Sequence, residues 1–102
     1  MATNVVATIT ALEAQAAASL FLSDHLGDRF LASSPKLDAA ADVWCVPVLL
    51  AYPIIGPVGQ TGEILVNATS EDIVSHTPLE EMKAAACRLY EENRDAIEAP
   101  VP

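Results

Sequence analysis

The sequence predicts an α+β fold, an antiparallel meander of three or four strands packed with an N-terminal and a C-terminal helix. Two helix-start signatures, Thr10-Ala11-Leu12-Glu13 and Thr77-Pro78-Leu79-Glu80, stand near the two ends of the chain, and the stretch between them is strand-like, above all Val43 to Tyr52. Helices at the ends with strands grouped between them are the order of an α+β domain rather than of an alternating α/β one. The 102 residues, 52% of them apolar, amount to one domain, 1–102, able to fill a single core without a metal or a disulfide.

Helix 1 is expected over about 10 to 26. Thr10 and Glu13 stand in the S/T-x-x-E spacing that satisfies the first free amides, and Gly27 is suited to the left-handed cap. Its apolar stripe reads as Leu12, Ala16, Leu20 and Phe21, widened by Ala17, Leu22 and Leu26, against a polar face of Glu13, Gln15, Ser19, Ser23 and Asp24. Arg29 to Ser33 is a candidate short strand, and Ser34 to Asp38 a polar connection. In the long strand Val43 to Tyr52, Val43, Cys45, Pro47, Leu49 and Ala51 alternate with Trp44, Val46, Val48, Leu50 and Tyr52, so both faces are apolar. Such a strand needs helices on both sides or a subunit interface; the second is favoured, with Trp44, Val46, Val48, Leu50 and Tyr52 as the homodimer face. Pro47 points to a bulge or an edge strand. Pro53 to Gly62, with two prolines and three glycines, reads as a structured loop, and Glu63–Ala68 and Ile73–His76 as a hairpin about the turn Thr69–Asp72. In the last helix Thr77 is the expected N-cap, Pro78 the first helical residue and Glu80 the capping-box acid. Leu79, Met82, Ala86, Leu89, Tyr90, Asn93 and Ile97 draw one face to Glu98, and Pro100 stops it.

Fourteen acidic residues against five lysines and arginines give a net charge of −9. That balance disfavours nucleic acid and anionic lipid, and Arg29, Lys36, Lys83, Arg88 and Arg94 form no basic run. No stretch reaches the ~18 apolar residues of a membrane span. Met1 to Leu22 lacks a cationic start and an unbroken apolar core, so a secretory signal is not expected and the cytoplasm is. Cys45 and Cys87 then read as thiols, and the spacing of His25, Cys45, His76 and Cys87 matches no zinc motif, so neither metal nor cofactor is expected.

His25, between Asp24 and Asp28 at a helix C-terminus, reads as a charge-complementing residue, and His76 as part of the turn before the last helix. Glu91, Glu92, Asp95 and Glu98 crowd the end of that helix, where the macrodipole favours cations; this placement makes them the candidate contact for a basic partner protein.

Val43-Trp44-Cys45-Val46-Pro47-Val48, Gly62 to Thr69 and Ile73 to Met82 together resemble a family of short, uncharacterised proteins found chiefly in cyanobacteria, over residues 20 to 98. The middle segment is also similar to the hairpin of PepSY-like domains, with Asn67 where those carry aspartate and Ser70-Glu71 at the usual glycine. The resemblance to PepSY-like domains implies modulation of other proteins without catalytic residues. The resemblance to the short family, whose genes can neighbour those of PIN-domain nuclease toxins, implies an antitoxin-like acidic partner. The expectation is therefore a non-enzymatic interaction module that forms a homodimer and modulates a basic partner. A domain that binds a small molecule, or a small enzymatic one, with His76 and Tyr52 at the mouth of a pocket between sheet and helix, is the alternative.

Overall fold

The computed structural model describes residues 8–99, whose elements run α1 (Ala11–His25), β1 (Phe30–Ala32), β2 (Lys36–Asp38), β3 (Val43–Tyr52), β4 (Gly56–Asn67), β5 (Ile73–His76), α2 (Leu79–Glu92) and α3 (Arg94–Glu98). The fold is α+β, with one antiparallel sheet in the order β1-β3-β4-β5. The polar connection expected at Ser34 to Asp38 is in part a strand: β2 pairs with the first half of β3 as β1 does with the second. The first seven residues of the Met1–Leu22 segment, and Pro100, lie outside the described residues.

The expected capping box opens α1: the Glu13 amide donates to Thr10 Oγ1 at 3.1 Å and the Thr10 amide to Glu13 Oε1 at 2.9 Å. Gly27 closes it at φ +88°, its amide donating to the Leu22 carbonyl. The buried face, however, is Ala14, Ala18 and Leu22, while Leu12 and Leu20 are 75% and 65% exposed. The two alanines let the helix backbone lie close to the sheet, and two residues on, about 200° round the helix, the leucines point the other way.

β3 is central, with β1 and β2 on one side and β4 on the other. Pro47 therefore does not mark an edge strand. Its carbonyl accepts from the Ser33 amide, so its nitrogen faces the same gap between β1 and β2, where no ladder acceptor is lost. A register shift follows directly, between Val48 and Leu49, and the extra residue Thr61 is buried with its hydroxyl donating to the Val48 carbonyl at 3.2 Å.

The loop expected over Pro53 to Gly62 is mostly strand: the turn is confined to residues 53–55 and β4 begins at Gly56, whose φ is +78°. The glycines beyond it serve packing. A Cβ on Gly62 would stand 2.8 Å from Thr77 Cβ and 3.0 Å from Met82 Cγ, and one on Gly59 2.5 Å from Leu89 Cδ2. They let α2 lie directly on β4. The expected hairpin about Thr69–Asp72 is present, with Asn67 Oδ1 accepting from the Thr69 amide and hydroxyl.

α2 begins one residue later than expected, with Pro78 as N-cap and no side-chain capping bond. The Thr77 hydroxyl is engaged elsewhere, accepting from the Glu63 amide of β4 at 3.0 Å. Nor does the helix run unbroken to Glu98. It ends at Asn93, whose Nδ2 donates to the Leu89 carbonyl at 2.8 Å, and α3 starts afresh.

α1 and α2 lie on one side of the sheet. One core joins Ile9, Ala14, Ala18 and Leu22 to Ala32, Val46, Val48, Ile64, Val66 and Met82, so the domain has two layers and, among the described residues, no helix lies over the far face of the sheet.

Candidate interaction surfaces

The face that sequence assigns to a homodimer is the face the helices cover. Val46 and Val48 are 0% exposed and Leu50 2%. Trp44 is half-buried against the core, its indole Nε1 donating to the Ile9 carbonyl at 3.3 Å, and the ring of half-buried Tyr52 carries the Arg29 guanidinium 5.2 Å from its centroid. Val46, Val48 and Leu50 are therefore not available to a second copy, and Trp44 and Tyr52 are only partly so. Both faces of β3 are apolar, and alternation alone does not say which one the helices take.

The opposite face is the uncovered one. Cys45, Pro47, Leu49 and Ala51 run down its centre, half-buried, with Leu31 of β1 beside Leu49 and Leu65 of β4 beside Cys45. Leu31 is 45% and Val74, on the outer strand β5, 54% exposed. Charges are few: Lys36 pairs with Cys45 and Asp38 with Val43 on one flank, and Glu63 with Pro47 on the other. The Cys45 thiol is pushed up from its ordinary pKa, first by desolvation and then by the Glu63 and Asp38 carboxylates. Cys87 is exposed on α2, so the two thiols lie in unlike surroundings.

The four acids singled out as a partner contact are all exposed around the α2–α3 junction, but they are not equivalent. Arg94 lies 3.9 Å from Glu91 and 3.5 Å from Glu98, and the Tyr90 hydroxyl donates to Glu98. Glu92 and Asp95 have no ion pair among the described residues. Because the helix breaks at Asn93, Asp95 stands in the first turn of α3, where the dipole favours an acid, rather than at the end of a long helix.

His76 and Tyr52 do not share a pocket mouth. His76 pairs with Ile64, which pairs with Val46, six residues from Tyr52 along β3 or about 20 Å. Instead the Phe21 ring lies between the two histidines, 4.3 Å from His25 and 4.7 Å from His76, centroid to centroid. Nδ1 of each donates to a backbone carbonyl, His25 to Phe21 and His76 to Thr77. Tyr52 opens on a separate recess of about 320 Å³, with Arg29, Cys87 and Tyr90 on its walls. Among the described residues no group of three His, Cys, Asp or Glu side chains is gathered to hold a metal ion, and no helix is long and apolar enough to cross a membrane.

The sequence shows that both faces of β3 are apolar but not which of them the helices take. The signal that could have found the side is the size of residues facing across the sheet: Gly62 opposite Val48 and Gly59 opposite Leu50 leave room for a helix, whereas Leu65 and Glu63 beside Cys45 and Pro47 do not. No protein-family model, curated protein or solved structure matches the chain.

Proposed function

We propose that this protein is a non-catalytic interaction module, a homodimer that modulates a basic partner protein. One observation carries the reading: α1 and α2 lie on one side of the sheet, and among the described residues no element covers the apolar strip on the other. An antiparallel sheet facing water normally alternates apolar-in with polar-out, and β3 does not. A strip of this kind marks an association surface.

A second copy is the occupant that fits the strip. The strands give this face a flat area of about 500 Å², so a second copy covering all of it forms an interface smaller than the ~800 Å² per partner of a standard one. With net charge −9, two copies repel unless they meet where acids are sparse, and on this face Asp38 and Glu63 are the only acids among the strand positions. Lys36 and Glu63 flank β3 on opposite sides, so a two-fold axis along β3 lays the Lys36 flank of one copy toward the Glu63 flank of the other. The remaining acids then face outward, where they steer a cationic partner.

The test is the mass in solution. Light scattering on the wild type at high micromolar concentration is expected to give two chains. Leu49→Asp, which places a carboxylate at the centre of the strip, is expected to give one chain with an unchanged circular dichroism spectrum, and Leu12→Asp, on the far side of α1, to leave the dimer intact. A wild-type mass of one chain, or a Leu49→Asp dimer, overturns the homodimer.

A further inference from the structure

A recess of about 480 Å³ opens between α1 and the β4–β5 turn. Its apolar walls are Ala16, Phe21 and Ile73, with Leu20 at the lip. Its charged walls are of one sign: Asp24 from α1, and Glu71 and Asp72 from the turn, with no lysine or arginine among the lining residues. The imidazole of His25, stacked on Phe21, completes the wall on the helix side. α1 carries no lysine or arginine along its length. Its two most exposed leucines, Leu12 and Leu20, stand with Ala16 at four-residue steps, a ridge about 12 Å long that leads into the recess.

We propose that this ridge and recess dock a basic amphipathic helix of the partner protein. Its apolar seam lies along Leu12, Ala16 and Leu20, and its lysines or arginines reach Asp24, Glu71 and Asp72. The inference rests on the interaction reading above and gives the partner a place. It also moves that place from the α2–α3 acids, two of which Arg94 already engages, to the other end of the molecule. The occupant follows from the chemistry of the walls. A leucine ridge at helical spacing is the surface an amphipathic helix covers, and a rim bearing three carboxylates selects a cationic one. A second copy of this chain would bring further carboxylates to the same rim, so this face and the dimer face take different occupants and can be filled together.

The experiment uses the full chain, ¹⁵N-labelled, titrated with an amphipathic Leu/Lys helical peptide, with its Leu/Glu counterpart and with spermine. Amide shifts centred on Leu20, Asp24 and Ile73 are expected with the Leu/Lys peptide, none with the Leu/Glu peptide, and spermine is expected to leave the bound peptide in place. Leu20→Glu, and separately Asp24→Lys with Glu71→Lys, are each expected to weaken the peptide about tenfold, while Glu92→Lys with Asp95→Lys changes it less than about twofold. Shifts centred on α2 and α3, unchanged affinity in Leu20→Glu, or displacement by spermine would each overturn the proposal. The titration is repeated on Leu49→Asp to separate the two readings: a peptide that binds a chain with no dimer in the wild type sinks the dimer alone, and a dimer that ignores the peptide sinks the groove alone.

Discussion

The Tyr90 hydroxyl donates to the Glu98 carboxylate, and this bond sets the direction of both titrations. It holds the Glu98 carboxyl below the usual carboxylate range, with Arg94 adding to the effect, and pushes the Tyr90 phenol up. The bond thus joins a neutral phenol to an ionised acid. The contribution of Glu98 to stability is present above the ordinary glutamate pKa of about 4.3 and is lost as pH falls through its lowered folded value; that of Tyr90 is present below about 10 and is lost as pH rises through its raised one. α3 is therefore the element expected to loosen at both extremes. Tyr90→Phe should return the Glu98 titration, followed by carboxyl NMR, toward the ordinary range; an unmoved midpoint would assign the lowering to Arg94 alone. Asp42 is a different case. It turns the chain from β2 into β3 at φ +57°, and its Oδ1 is buried with no hydrogen-bond partner among the described residues. Asparagine tolerates the left-handed backbone as well and carries no charge to desolvate, so Asp42→Asn is expected to stabilise by about 1 kcal/mol in urea unfolding at neutral pH. A loss would show that the carboxylate holds something the backbone geometry needs.

At the scale of elements, the close approach of α2 to β4 depends on two glycines that differ in what lies above them. Above Gly62 is Thr77 Cβ, fixed near the backbone, with a hydroxyl bound to the Glu63 amide; above Gly59 is only the flexible end of Leu89. Gly62→Ala is therefore expected to cost about 2 kcal/mol and Gly59→Ala less than about 1, measured by thermal or urea unfolding, because overpacking is costly where the neighbour cannot yield. The reverse order would mean that the helix moves as a body. These glycines also explain how legible the fold was. Signals confined to a few neighbouring residues read correctly: the Thr10–Glu13 box, Gly27 and the bounds of β3 are all where the sequence puts them. What depended on a distant element did not. Gly59 and Gly62 imitate loop chemistry because the reason for them is a helix some twenty residues on, and Thr77 imitates a cap although its hydroxyl serves β4. On α1 the large residues outscore the small ones in any periodicity, yet Ala14 and Ala18 are what the sheet requires. Of the leucines left over, Leu20 lines the recess that sequence reading passed over, and Leu12 stands two turns before it on the same helix.

For the whole molecule the asymmetry of the two layers is the decisive property, because it leaves one thiol on the bare sheet face and the other on the outside of a helix. Cys45 lies at one end of the apolar strip and Cys87 is exposed on α2, so the chain carries a reporter and an internal control. Desolvation and the nearby Glu63 and Asp38 raise the Cys45 pKa, which slows its alkylation at neutral pH in the monomer as well as in the dimer. The rate alone therefore does not report association, and its dependence on protein concentration does. A chain that pairs through this face is expected to show Cys45 alkylation that falls as concentration rises, by about tenfold for a dimer mostly formed at the upper end, while Cys87 reacts at a constant rate throughout. In Leu49→Asp the concentration dependence should vanish with little change in the intrinsic rate, because residue 49 stands about 13 Å from Cys45 along β3. Protection of Cys87 in step with Cys45 would place the contact on α2 and refute the sheet-to-sheet dimer. Equal rates for Cys45 at all concentrations would leave the strip bare in solution, against the reading of β3 as an association surface.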